Sequence, residues 1–194
     1  MASVETEART PAVKGSYTYY PGCSLHSTAK EYDVSTKLVC QALGIELKEL
    51  DGWICCGASA AHSTNHLLGL ALPAYNLKLA EEASLPIAVP CAMCFSRLKH
   101  TVHELEDKKT LGLVERAIDR TLDKTVTVHS LLEVLDVPIP EPMIKKPLNG
   151  LKVACYYGCL LVRPREVTGL DDENDPQIMD RLIERLVVKV SLGV

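Results

Sequence analysis

The sequence predicts an α/β protein: a mostly parallel sheet with flanking helices, a complete first lobe and an incomplete second lobe that duplicates its start. Three observations carry that expectation. Strand-like and helix-like segments alternate along the chain, and cysteine-bearing loops follow the strands. One strand-to-loop element, Tyr19-Tyr20-Pro21-Gly22-Cys23, returns as Tyr156-Tyr157-Gly158-Cys159. The 194 residues are 47% hydrophobic, which suits a packed core and excludes a disordered or fibrous chain.

Residues 16–23 alternate aromatic and small polar groups and stop at Pro21-Gly22, a strand entering a tight loop. Apolar residues at helical spacing (Val34, Leu38, Val39, Ala42, Leu43) predict a helix over 31–43, with Gly44 at its end. Residues 45–50 alternate as a half-buried strand. They run through the Asp51-Gly52 turn into Trp53-Ile54-Cys55-Cys56-Gly57. A second helix is expected over 65–83, then a short buried strand over 85–90 that ends at Cys91. Helical pattern returns through Cys94, Leu98, Val102 and Leu105. After a charged break at 106–109 another helix is expected over 111–122, then a strand over 125–128 and a short helix over 129–135.

The segment 137–150 is rich in proline, closes in Asn149-Gly150 and reads as a linker. Residues 151–159 start a new strand and loop. A final amphipathic helix is expected over 175–188, with Asp175 as its N-cap and Pro176 at the first helical position. The domain expectation is therefore a disordered leader over 1–15, a first cysteine-rich lobe over 16–136, the linker, and the beginning of a second lobe over 151–194.

Net charge is −4 with acids and bases mixed along helical segments, a solvated face. No basic stripe with interleaved aromatics appears, so nucleic acid is not an expected partner. No stretch approaches the ~20 apolar residues of a membrane span. The first residues lack the apolar core of a signal peptide. The expected location is a reducing cytoplasm, where structural disulfides are rare and eight cysteines call for another explanation.

Five of them form the pattern C-x31-CC-x34-C-x2-C: Cys23, Cys55-Cys56 and Cys91-Ala92-Met93-Cys94. Each element follows an expected strand, and loops at the carboxyl ends of parallel strands converge. Iron and zinc bind thiolate strongly, and C-x2-C lets two sulfurs face one metal centre. Gly57 leaves room for close backbone approach. A closed zinc site or an ordinary cubane takes four ligands, so a fifth thiolate favours a larger or unusual cluster over zinc. Cys40 reads as a core residue of its helix. His26, three residues after Cys23, is a candidate proton donor to a leaving thiolate, set against a solvated or capping role. Arg97 and Lys99, one turn after Cys94, are candidates to hold an anionic substrate or a cluster's charge. His62 and His66 have metal-compatible i, i+4 spacing but no accompanying glutamate. His100 and His103 read as exposed helix residues, and Trp53 as packing.

The set Cys23, Cys55-Cys56-Gly57 and Cys91-x2-Cys94 resembles the cysteine-rich CCG domain found in the B subunit of heterodisulfide reductase, over residues 16–188. In that family two such motifs each bind a noncubane [4Fe-4S]-type cluster. Successive one-electron transfers then split a disulfide, that of coenzyme M and coenzyme B in methanogens. Relatives serve other thiol, lactate, glycolate or succinate redox systems. The resemblance implies a cluster held by Cys23, Cys55, Cys56, Cys91 and Cys94. Cys23, Cys55 and Cys56 would act in catalysis through it, with Cys159 as a ligand of the second motif. Cys155 aligns with Tyr19 and is not expected to ligate. No flavin fingerprint or ferredoxin cysteine run is present. The implied partners are therefore a flavin-containing protein like the family's A subunit and a ferredoxin-like protein like its C subunit. Family spacing would put the second CC pair from near Ser191 on, and the sequence reaches Val194 without it. The expectation is a chain truncated within the second motif, with one complete site. The alternatives are a zinc-stabilised interaction module and an inactive fragment.

Overall fold

The computed structural model describes residues 15–186 and 189–190, apart from Ser59, Lys124, Thr125, Pro147 and Asn149. The expected leader, except Gly15, and the last residues of the second lobe lie outside the described residues. Four strands form one parallel sheet in the order β2-β1-β3-β4: β1 (Ser16–Tyr19), β2 (Glu46–Glu49), β3 (Ile87–Val89) and β4 (Val128–Ser130). Register is fixed by Tyr19 opposite Glu49 and Ala88, and by Val89 opposite Ser130. The Gly15 carbonyl extends the β1–β2 ladder by accepting from Glu46 N–H at 3.1 Å.

Helices cover both faces, and the strand period of two decides which residue meets which layer. In β3, Ile87 and Val89 join one core with Leu77, Ala80, Phe95 and Leu98. Ala88 between them joins the opposite core with Tyr17, Cys40, Leu43, Leu131 and Val134. The first core is built from α4 (His66–Ala83) and α5 (Ala92–Glu104), the second from α2 (Lys30–Ala42) and α7 (Leu131–Leu135). A β3 buried on both faces explains the unbroken apolar run at that strand. Short helices α1 (Gly22–Leu25) and α3 (Ala60–Thr64) complete the loops after β1 and β2.

Several boundaries differ from expectation. The charged break at 106–109 is a helix start. Asp107 caps α6 (Lys108–Ile118) by accepting from Thr110 N–H at 2.8 Å, so α6 begins earlier than 111 and ends at Asp119 in the left-handed region. The fourth strand is Val128–Ser130, later than 125–128. Ser130 and Glu133 then form a capping box that starts α7. The segment read as linker begins in the core, with Val137 buried, and carries one 3-10 turn at Glu141–Met143.

Beyond it come β5 (Lys152–Val153), α8 (Cys159–Val162), α9 (Arg165–Thr168), α10 (Ile178–Glu184) and β6 (Lys189–Val190). Strands β5 and β6 pair in parallel as a second sheet. Asp175 is not the N-cap of the last helix. Asp171 takes that work, accepting from Gln177 N–H at 2.9 Å and Ile178 N–H at 2.7 Å, so α10 starts after Pro176. This part packs on the first through Val162, Leu170 and Ile178, which share a core with Phe95 and Leu98 of α5.

Candidate metal centre at the carboxyl edge of the sheet

Strand order puts β1 between β2 and β3, and the chain leaves β1 for β2 but returns on the far side to β3. The crevice outside the carboxyl ends of β1 and β3 is the switch point where open α/β sheets bind ligands. Cys23 follows β1, Cys55 and Cys56 follow β2, and Cys91 and Cys94 follow β3. Three neighbouring loops therefore meet there.

The five sulfurs fall into two linked groups on adjoining loops, Cys23 with Cys55 and Cys56 with Cys94 and Cys91. Cys23 hydrogen-bonds Cys55, whose neighbour Cys56 lies 3.4 Å from Cys94, and Cys94 in turn hydrogen-bonds Cys91. Backbone donors reach the same atoms: Gly57 N–H to Cys55, Ala58 N–H to Cys56, and Met93 and Cys94 N–H to Cys91. Hydrogen bonding from Cys94 outweighs burial and holds the Cys91 thiol down, to about 6. It lowers Cys56 in the same way, to about 7, while Cys94 itself is pushed up by its hydrogen bonds with Cys56 and Cys91 and by burial. Burial raises Cys55. Cys56 and Cys94 are buried, Cys91 is half-buried, and Cys23 and Cys55 are exposed. The site has a closed inner end and an open outer one.

Local structure fixes these positions. Gly22 adopts φ +73°, and a Cβ there would sit 2.9 Å from Cys94 Sγ, so only glycine lets the β1 loop pass the sulfur. The CC loop is clamped at Ile54. Its N–H donates to Asn76 Oδ1 at 2.9 Å, and its carbonyl accepts from Asn76 Nδ2 at 3.0 Å and from the Tyr20 hydroxyl at 2.7 Å. Tyr20 is fully buried, and burial first, then the charge of Cys94, Cys56, Cys55 and Cys23, push its hydroxyl far above the usual range. Tyr20 and Asn76 hold the CC loop of the candidate site, a part that sequence reasoning missed. Tyr20 lies inside the repeated strand-to-loop element, whereas nothing local to Asn76 signals its reach to Ile54.

Other residues are placed as follows. His26 Nε2 lies 2.9 Å from Glu49 Oε1, and its ring meets Trp53 edge-on at 5.0 Å. Arg97 Nη2 donates to the Gly69 carbonyl at 2.7 Å beside the site. Lys99 instead faces Gly169 at the end of α9. His62 and His66 are exposed. His103, also exposed, lies 3.8 Å from Glu106, while His100 is half-buried. Cys40 is buried in the opposite core and pushed up to about 11 by burial. Cys159 opens α8 in an exposed position. Cys155 hydrogen-bonds Asp180 and is raised to about 11, chiefly by burial.

Among the described residues no three His, Cys, Asp or Glu stand together as a finished ion site. The donor chemistry nonetheless fits a thiolate-held centre: five sulfurs from three loops, served by backbone N–H donors that favour negative charge. Such a set lies at the switch point of a parallel sheet, where open α/β sheets bind ligands.

Comparison with known proteins agrees. Residues 17–99 match the family model of the CCG cysteine-rich domain. The chain carries that domain and is a relative of proteins named as the B subunit of heterodisulfide reductase. It is 34% identical over 178 residues to the 8-methylmenaquinol:fumarate reductase membrane anchor subunit of Wolinella succinogenes, covering 90% of this chain and 63% of that one. It is 30% identical over 172 residues to the B subunit of the ferredoxin:CoB-CoM heterodisulfide reductase of Methanosarcina mazei, covering 84% and 57%. A protein of Archaeoglobus profundus named as like the heterodisulfide reductase B subunit is 27% identical over 181 residues, covering 88% and 60%. The chain thus spans about three fifths of the length of these relatives. A crystal structure of a hypothetical protein from Helicobacter pylori superposes with a TM-score of 0.66 at 13% identity, covering 96% of this chain and 34% of that one, and shares the fold. No helix among the described residues is long and apolar enough to cross a membrane.

Proposed function

We propose that this chain is the iron–sulfur subunit of a reductase complex, in which Cys23, Cys55, Cys56, Cys91 and Cys94 hold a noncubane [4Fe-4S]-type cluster. The observation that carries the reading is the meeting of three cysteine-bearing loops at the carboxyl edge of the sheet, with Cys56 buried 3.4 Å from Cys94 and Cys23 and Cys55 open to solvent. When bound, such a cluster supplies one-electron transfer. The substrate is a small disulfide of the CoM-S-S-CoB type, which takes two electrons and two protons to give two thiols. Its sulfurs approach the exposed Cys23–Cys55 end. His26, three residues after Cys23 and hydrogen-bonded to Glu49, delivers a proton there. Tyr20 and Asn76 hold the CC loop still.

Electrons come from partners, a flavin-containing protein and a ferredoxin-like protein, in a reducing cytoplasm. Cys159, which opens α8 as Cys23 lies in α1, is assigned to a second centre in the lobe after residue 150. Metal analysis of anaerobically purified protein tests the reading. Several irons with acid-labile sulfide are expected, and a single zinc would make the chain an interaction module instead.

The 34% identity to a component of a quinol:fumarate reductase favours a second reading of the substrate, with the same sulfurs receiving electrons from a quinol. Mixing the iron-loaded chain with a menaquinol analogue or with the heterodisulfide separates the two. The first reading requires oxidation of the reduced protein by the disulfide, the second requires reduction by the quinol.

A further inference from the structure

A proline inside α4 sets up the part of the site that faces α5. In a helix the carbonyl of residue i accepts from the N–H of residue i+4, and Pro73 has none to give. The Gly69 carbonyl is the group left over, and Arg97 Nη2 donates to it at 2.7 Å. Glycine at position 69 eases this approach, because a Cβ would sit a tight 3.1 Å from His62 Cα and 3.3 Å from Arg97 Nη2. The guanidinium is thereby pinned where α3, α4 and α5 meet.

Pinned in this way, Arg97 has donors left over. It follows Cys94 by three residues on α5, and helix side chains lean toward the N-terminus, so it reaches back along the face that carries the sulfur. Arginine has five N–H donors, and its Nε–H here is buried without a partner among the described residues. Its charge is felt at His100, whose pKa burial and then Arg97 lower. The guanidinium charge does favour the Cys56 thiolate. A half-buried cation with an orphan donor is costly unless something anionic faces it.

We propose that Arg97, tethered by the carbonyl that Pro73 frees, is a positioning residue whose charge and spare N–H donors stabilise the anionic sulfur centre at Cys56 and Cys94. This rests on the reading of that centre as a bound metal cluster. A positive charge beside a cluster favours its reduced form.

The test compares Arg97→Met, Arg97→Lys and Pro73→Ala in the iron-loaded full chain, following the cluster's spectroscopic signal in a redox titration. At the potential where the parent is half reduced, Arg97→Met should lower the reduced-to-oxidised ratio about tenfold, equal to about 59 mV for one electron. Arg97→Lys should restore most of it, since the charge remains. Pro73→Ala returns an N–H to the Gly69 carbonyl and loosens the tether, so a smaller shift of the same sign is expected. Equal potentials in all four proteins, or equal shifts in the Met and Lys variants, overturn the proposal. If Arg97→Met does not fold, an unshifted Pro73→Ala overturns it. A parent chain that takes zinc in place of iron defeats the cluster reading by itself. Arg97 is then judged by zinc retention against a chelator: a tenfold loss in Arg97→Met rescued by Arg97→Lys upholds its role, and equal retention refutes it.

Discussion

A single sulfur or amide decides whether the site is a site. Cys56 and Cys40 are both buried cysteines, yet one lies 3.4 Å from Cys94 at the carboxyl edge of the sheet and the other in helix packing. Cys56→Ala should remove the centre, because a metal loses a ligand that no neighbour replaces. Cys40→Ala should retain iron and cost on the order of 1–2 kcal/mol of packing. Iron per protein in the two variants checks this, and equal iron in both would mean Cys56 is not a ligand. Asn76 makes the same point without touching metal. Asn76→Ala orphans the Ile54 N–H and should lower unfolding stability by about 1–3 kcal/mol. Because Ile54 precedes Cys55, iron loading should fall as well. Urea unfolding with iron analysis tests both, and a destabilised variant that keeps full iron would show that the clamp serves stability alone. The five cysteines are legible because C-x31-CC-x34-C-x2-C is local pattern. Asn76 is not, since its partner is twenty-two residues away and only the fold brings them together.

At the level of elements, strand and helix order is legible and their ends are not. The helices expected over 31–43 and 65–83 match α2 and α4, the latter with Asn65 capping Leu68 N–H. The start of α6 escapes sequence reading because a run of charge looks like a break, whereas Asp107 in it is a cap. The start of α10 escapes it because the cap comes from Asp171, outside the Asp175-Pro176 pair that mimics one. Helix α3 has no buried side chain, so it leaves no periodicity to read. The Asp171 cap predicts a local effect. Asp171→Ala should cost about 1 kcal/mol and open α10 preferentially. Amide exchange over Ile178–Glu184 should then quicken about fivefold while α4 is unchanged. Uniform exchange across both helices would show that Asp171 stabilises the whole chain and not this helix end.

At the scale of the molecule the two lobes read from sequence share one core. Val162, Leu170 and Ile178 of the later part pack with Phe95 and Leu98 of α5, the helix that also carries Cys94. Two ties reinforce the seam: Arg185 Nη2 reaches Asp136 at 2.7 Å, and Arg185 Nη1 donates to the Val137 carbonyl at 3.1 Å. The strands β5 and β6 are two residues each, too short to hold a sheet without that support. Residues 151–186 should therefore not unfold before the rest. Trp53, the one tryptophan in the chain, reports on the sulfur loops by fluorescence. The Met179 and Asp180 amides, which donate to the Tyr157 hydroxyl at 2.7 and 3.1 Å, report on the later part by hydrogen exchange. Both probes should give one unfolding free energy. Leu98→Ala, a cavity in the shared core, should lower both together by about 2–5 kcal/mol. Exchange of Met179 and Asp180 through an opening much cheaper than the Trp53 transition would show two separable units. A change at Leu98 could then not carry from the sulfur site to α10.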